Sequence, residues 1–362
     1  MSPQTVLGQP SWRIATPDVE AFVTVAGGHL GPVRFRLGDR TVEPFSVAPW
    51  AEEPLGQPDV QMLRSLRGDF FCMPFGGNEN LYQGEQHPQH GDTANLDWTL
   101  EAASEGEITL SLQTETRPGR IEKRIRIEGT TIYQTHTISQ MSGPMCYGHH
   151  AMLRFPSEGR LSTSEIFSGR VFPGAFERPK TGGYTSLLPR ATFDTLDQVP
   201  LADGGQADLT RYPAREGFED LVQIYHQPES PFAWNAVVVD GYLWLALKDP
   251  NTLPSTVLWH SNGGRHYRPW NGRHRRVLGV EDVCAYFHYG LAESAAPNDA
   301  PVRTFMQLSP DKPTEIRYTM AVAAVPDDFG VVASVEPTRQ GVEVRDAMGT
   351  VVSIAVDMEF VL

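Results

Sequence analysis

Cysteine is scarce in this chain: 362 residues contain three, Cys72, Cys146 and Cys284, each in an apolar context and with no Cys-x-x-Cys pair. That excludes a disulfide framework and predicts reduced core thiols. Basic residues are also short. Thirty Lys and Arg against 44 Asp and Glu leave a net charge of −14, which argues against electrostatic binding of nucleic acid or an anionic membrane. No apolar run reaches membrane-spanning length. The opening residues lack the basic and apolar regions of a signal peptide. No window of helical length carries a sustained i, i+3, i+4, i+7 stripe. The expectation is a cytoplasmic protein with no nucleic-acid or membrane partner and little helix.

What is present is turn chemistry and short strands. Gly (33) and Pro (29) are spread along the whole length, separating alternating or apolar runs such as 108–115, 121–128, 131–139, 243–248 and 315–325. Glu128-Gly129-Thr130, Asp240-Gly241 and Ala347-Met348-Gly349 read as hairpin junctions. The pattern predicts an all-β protein, a large antiparallel β-sandwich forming a single domain over 1–362. Residues 173–217 have the least pattern and read as long loops, a lid beside a site being one use for them.

The stretch 277–287 reads as a buried strand because both parities are apolar. Glu281 breaks it, sharing a face with Val277, Gly279, Val283, Ala285 and Phe287. A carboxylate on an apolar face is expensive unless paired or functional, and desolvation would raise its pKa towards the range of a general base. The ordinary alternative is pairing with a basic neighbour such as Arg275 or Arg276. Asp282, next in sequence, points to the opposite face.

Four stretches carry polar chemistry. Leu66–Gly77 packs Gly and Pro around three Phe residues with Arg67 at its entrance. Residues 87–98, HPQHGDTANLDW, put His87 and His90 in a polar loop before Trp98, which either stacks on a sugar face or packs. His149 and His150 stand on opposite sides of one strand, so at most one shares a given face. The segment 258–272 holds Trp259, His260, His266, Tyr267 and Trp270, aromatics mixed with hydrogen-bonding groups as carbohydrate recognition requires. Each stretch alone is equally compatible with a packing or solvated role. A metal site from His87, His90, His149 and His150 is poorly supported by that spacing.

Their order resembles the galactose mutarotase-like superfamily, the aldose 1-epimerases and the hexose-6-phosphate mutarotase branch. Arg67-Gly68 through Met73-Pro74-Phe75-Gly76 is similar to that branch's Arg-Gly entry into a Pro-containing strand end. His90-Gly91 with Trp98 eight positions after the His is similar to the family's His-Gly…Trp spacing. His150 resembles its second histidine, and Val280-Glu281 its hydrophobic-Glu pair.

The resemblance implies a β-supersandwich whose members interconvert sugar anomers by opening and reclosing the ring, with no cofactor and no metal. It implies Glu281 as the base at O1 and His150 as the acid at the ring oxygen. It further implies His90, Arg67, Trp98, His149, Asp92 and Trp259 around a small-molecule carbohydrate, free or phosphorylated. Asp92 stands where relatives commonly carry an aromatic residue. Gly76-Gly77-Asn78 lacks the Asn-Arg common after the proline, leaving Arg67 as the expected cation there. On this reading His149→Asn is a mild change. Three other readings stay open: a carbohydrate-binding protein without turnover, a metal enzyme, and a glycan lyase or hydrolase. The hydrolase needs a second carboxylate, from Asp92 or Asp282.

Overall fold

A computed structural model describes residues 1–55, 60–174 and 176–362. The regular structure of the described chain is almost wholly antiparallel strand, and its helices are single short turns such as Gln61–Ser65 and Leu291–Ala295. It forms two compact units. The first comprises Met1–Ala151, Thr252–Pro254 and Asp282–Tyr318; the second comprises Met152–Asn251, Ser255–Glu281 and Thr319–Leu362.

The first unit opens with a five-stranded meander: Gln4–Val6, Gln9–Ala15, Val19–Thr24, Leu30–Leu37 and Arg40–Val42. A second meander runs through Thr99–Ser104, Glu107–Thr114, Gly119–Glu128 and Thr131–Ser139. Alternation explains it: Ile121, Ile125 and Ile127 turn inward while Glu122, Arg124 and Glu128 face solvent. A third group pairs Phe71–Cys72 with Tyr147–His149, which in turn pairs with Val283 and Cys284.

The second unit contains the ladder Arg211–Tyr212, Gly159–Thr163, Ala233–Val239 and Tyr242–Lys248. Beside it in sequence stands a run of fully buried strands. Phe218–His226 pairs with Ser255–Asn262 from Phe218↔Asn262 to Tyr225↔Ser255. Next to Ser255–Asn262 lies Val277–Cys284, buried at every position. A hairpin set at the end, Val332–Thr338, Gly341–Asp346 and Val351–Ala355, completes the unit.

The predicted strands are present with small boundary shifts, and Thr131–Ser139 has the expected bounds. The strand expected over 277–287 ends at Cys284, because the backbone turns at Phe287, where φ is +47°. Strands Gln9–Ala15 and Val332–Thr338 were not expected, since polar and proline residues interrupt their alternation. The three hairpin junctions all join paired strands. Region 173–217 is loop with two-residue strands, as expected; Ala175 within it lies outside the described residues.

Candidate functional site

In the second unit, Glu281 is fully buried on its strand, and burial pushes its carboxyl well above the ordinary carboxylate range, with the positive charge of Arg265 pulling the other way. The cation is therefore neither Arg275 nor Arg276, whose guanidinium groups go to the carbonyls of Gly272 and Pro156. Gly279 makes room for the acid. A Cβ there would lie 2.5 Å from Glu281 Oε1 and 3.1 Å from Trp259 Cβ.

Arg265 collects more than one acid. Its Nε donates to Glu177 Oε1 at 2.5 Å, and Tyr267 Oη donates to the same oxygen at 2.8 Å. Its guanidinium carbon stands 4.4 Å from the centre of the Trp270 ring and 5.2 Å from that of Trp259, a cation–π arrangement. Glu177 belongs to the long loop region, which is docked here by Tyr184 N–H to Gly264 O.

Glu219 is the third carboxylate of this cluster. It accepts from Trp259 Nε1 at 2.9 Å, Ser261 Oγ at 3.0 Å and Gly264 N at 3.1 Å. Burial still pushes it up to about 7, against the lowering effect of Arg265 and these donors. Ser261 Oγ in turn accepts from His274 Nδ1 at 2.6 Å. Sequence reasoning missed Glu219, Arg265, Glu177 and His274. For Glu219 a signal existed, a charged residue opening the apolar run Phe218–His226; the loop residues carried none.

In the first unit, His150 lies in a stack of rings. Phe70 is sandwiched by His29 at 4.0 Å and His150 at 4.6 Å between centroids, and His90 meets His150 edge-on at 5.0 Å. His90 sits at φ +59°, a left-handed conformation that a loop His tolerates when the backbone is pinned. It is pinned on both sides: His90 N–H donates to Gly76 O at 2.7 Å, and Met73 N–H donates to His90 O at 3.2 Å. Gly91 follows because a Cβ there would lie 1.9 Å from Met73 O. Burial, with the neighbouring rings of His288 and His150, holds His90 well below the usual imidazole pKa, so it is neutral.

Five of the residues expected around the sugar are buried and partnered within the protein. Arg67 is fully buried and donates to the carbonyls of Val6 at 2.9 Å and Leu7 at 2.8 Å. Burial lowers it to about 10. Trp98 is buried beneath Lys123 and donates to Thr93 O at 3.0 Å. Asp92 accepts from the amides of Glu115 (2.7 Å) and Thr116 (2.9 Å) and from the Thr116 hydroxyl at 3.0 Å, so it ties down a turn. Trp259 is enclosed by His274, stacked at 5.4 Å, and by Arg265. His149 donates from Nδ1 to Asp69 Oδ2 at 2.9 Å and stacks on Tyr318 at 4.2 Å.

Asp282 is buried beside Tyr318, whose hydroxyl is pushed far up by burial first and then by the charge of Asp282. Among the described residues no group of three His, Cys, Asp or Glu side chains is arranged to hold a metal ion, and no helix is long and apolar enough to cross a membrane.

Solved structures place this architecture. A galactose mutarotase-like protein from Clostridium acetobutylicum aligns over 89% of this chain and 98% of its own, with TM-score 0.60 and 11% identity. An aldose epimerase homologue from C. elegans aligns over 88% and 100%, with TM-score 0.59 and 13% identity. The fold is that of the galactose mutarotase-like superfamily. A galactose mutarotase related enzyme from Lactobacillus acidophilus agrees, at TM-score 0.55 and 13% identity over 88% of this chain and 98% of its own. No protein-family model and no curated relative matches the sequence. Histidine and glutamate positions picked out by the mutarotase-like resemblance thus sit on a mutarotase-like β-sandwich.

Two stability outcomes follow from these buried charges. Asp69 is held below the ordinary carboxylate range: burial works to raise it, but the charge and hydrogen bond of His149, Gln134 and Lys123 outweigh that. Its contribution is present above the unfolded pKa and is lost as pH falls through the folded one. Asp69→Asn is expected to cost about 3–5 kcal/mol, as for breaking a buried ion pair, read from urea unfolding at neutral pH. Glu281 behaves oppositely. Its raised pKa gives stability that is complete below the unfolded pKa and lost as pH rises through the folded pKa. Glu281→Gln is expected to unfold at the same or higher temperature than wild type, with the gap widening as pH rises from 4 to 8 by about 1.4 kcal/mol per unit of pKa shift; a gap that narrows would sink this assignment.

Proposed function

We propose that the protein is an aldose 1-epimerase-like isomerase that interconverts the anomers of a free or phosphorylated sugar. The observation that carries this reading is Glu281, a carboxylate buried on a strand and kept basic by desolvation, among Trp259, Trp270 and the Arg265 cation. The fold supports the same reading, being that of proteins described as galactose mutarotase-like and aldose epimerase homologues.

The chemistry asks for a base and an acid and nothing else. Glu281 takes the proton from O1, the electrons of that O–H bond form the C1 carbonyl, and the C1–O5 bond breaks. O5 takes a proton from a general acid. Rotation about C1–C2 and the reverse steps close the ring to the other anomer, returning both protons. Glu281 acts only when ionised, so its raised pKa places the acid limb of the rate above the ordinary carboxylate range.

Anomer exchange followed by NMR saturation transfer, with D-glucose, D-galactose and their 6-phosphates, tests the reaction. Glu281→Gln is expected to lose about 100-fold or more in kcat, the usual size of a general base contribution, with the fold retained. The wild-type kcat/KM is expected to fall as pH drops through a midpoint above 4.5. Sugar binding without accelerated exchange would replace this function with that of a carbohydrate-binding protein.

A further inference from the structure

Residues 265–276 hold five Arg and two His and no Asp or Glu, in a chain whose net charge is −14. Beside 264–267 lies the turn 178–183. Gly183 pairs with Arg265 in an isolated antiparallel bridge, His266 N–H donates to Gly182 O at 2.7 Å, and Tyr184 N–H donates to Gly264 O at 3.0 Å. The turn brings Arg178 and Lys180, which are exposed as Arg268 is, and none of these three forms an ion pair with a described residue. A positive region on an acidic chain draws anions to one place.

Arg265 is the member of this region that reaches the carboxyl cluster. Its Nε is spent on Glu177 Oε1 at 2.5 Å. The rings of Trp270, Trp259 and Phe176 surround it, with centres 4.4, 5.2 and 5.2 Å from the guanidinium carbon. Those contacts fix the direction of the guanidinium fork. Its two terminal nitrogens hydrogen-bond to none of the described residues. Nor are they sealed from solvent, since the side chain keeps 14% exposure. A planar fork with both terminal nitrogens unspent matches a carboxylate through two parallel hydrogen bonds.

The neighbouring acids choose between the anions such a fork can take. The charge of Arg265 acts on the carboxyls of Glu219 and Glu281, neither of which it hydrogen-bonds. When ionised, they oppose a dianion such as a phosphate monoester about twice as strongly as a monoanion. We infer that the terminal nitrogens of Arg265 hold the carboxylate of an acidic sugar, and that the ligand of the Glu281 site is a uronate. This rests on the function proposed above for the presence of a sugar at Glu281, and it narrows that sugar to one carrying a single negative charge. Glu177 holds the fork from behind, on Nε, and leaves its outer edge to the ligand.

Calorimetric titration of the full chain with D-glucuronate and with D-glucuronamide, alike in shape but differing in charge, isolates the carboxylate. The uronate is expected to bind about tenfold or more tighter, the worth of a charge-assisted hydrogen-bond pair. D-Galacturonate is expected to show the same advantage over D-galactose. Arg265→Lys keeps the positive charge that offsets the buried acids but lacks the fork, and is expected to lose most of the preference; if that variant does not fold, the wild-type comparison of uronate with amide decides. No binding of the uronate, equal affinity for uronate and amide, a preference undiminished in Arg265→Lys, or D-glucose 6-phosphate bound more tightly than D-glucuronate overturns the inference. Anomer exchange by NMR on the same sugars separates this site from the reaction. A uronate preferred but not exchanged removes the isomerase and leaves the carboxylate site standing, whereas neutral hexoses exchanged with no preference for the uronate leave the isomerase and overturn the site.

Discussion

The costliest feature of the second unit is negative charge buried within strands, and one guanidinium makes it tolerable. Arg265 is ion-paired with Glu177 and lies within electrostatic reach of Glu219 and Glu281. Isolated carboxylates in such surroundings would be neutral or would unfold the sheet. The cation is itself held by aromatic faces and by a Gly-Gly turn whose Gly264 amide also serves Glu219. Strand burial, loop docking and carboxylate basicity are thus coupled through one side chain. The loop region that contributes Glu177 and Tyr184 is fixed by the same set of contacts.

The first unit solves a related problem with neutral rings. Imidazoles deprived of water lose their protons and become hydrogen-bonding aromatics, able to stack on Phe70 and Phe71 as hydrocarbons do. His149 adds a hydrogen bond from its Nδ1 to Asp69. Neutrality gives each ring one donor and one acceptor, so the order of tautomers becomes a structural property of the cluster, set by whichever main-chain group abuts it.

Strand placement was legible in the sequence because alternation and apolar runs report burial directly. Thr131–Ser139 and the hairpins at Gly129 and Gly241 needed no tertiary information. Glu281 was legible for the converse reason, a charge where the pattern demanded none. Side-chain destinations were not. Arg67, Asp92 and Trp98 look like ligand contacts in a linear reading because their residue types suit sugars. The structure sends their polar atoms to carbonyls and amides of distant segments such as Val6 and Glu115. Arg265 and His288 were invisible for the same reason in reverse: each lies beyond a strand, where periodicity carries no information, and each gains meaning from a partner far along the chain.

The unit that holds the histidines is itself divided in sequence, its closing part beginning at Asp282 after most of the second unit has been specified. His90 and His288 are separated by 198 positions. During ribosomal synthesis the His90 loop therefore emerges long before its ring partner exists. Until residue 288 is made, the imidazole that ends up dry has no imidazole opposite its Nε2. The order of translation places completion of this cluster late, after the strands that surround Arg265 have been supplied, and a nascent chain halted before Asp282 lacks not a peripheral segment but the closing piece of the first unit's interior.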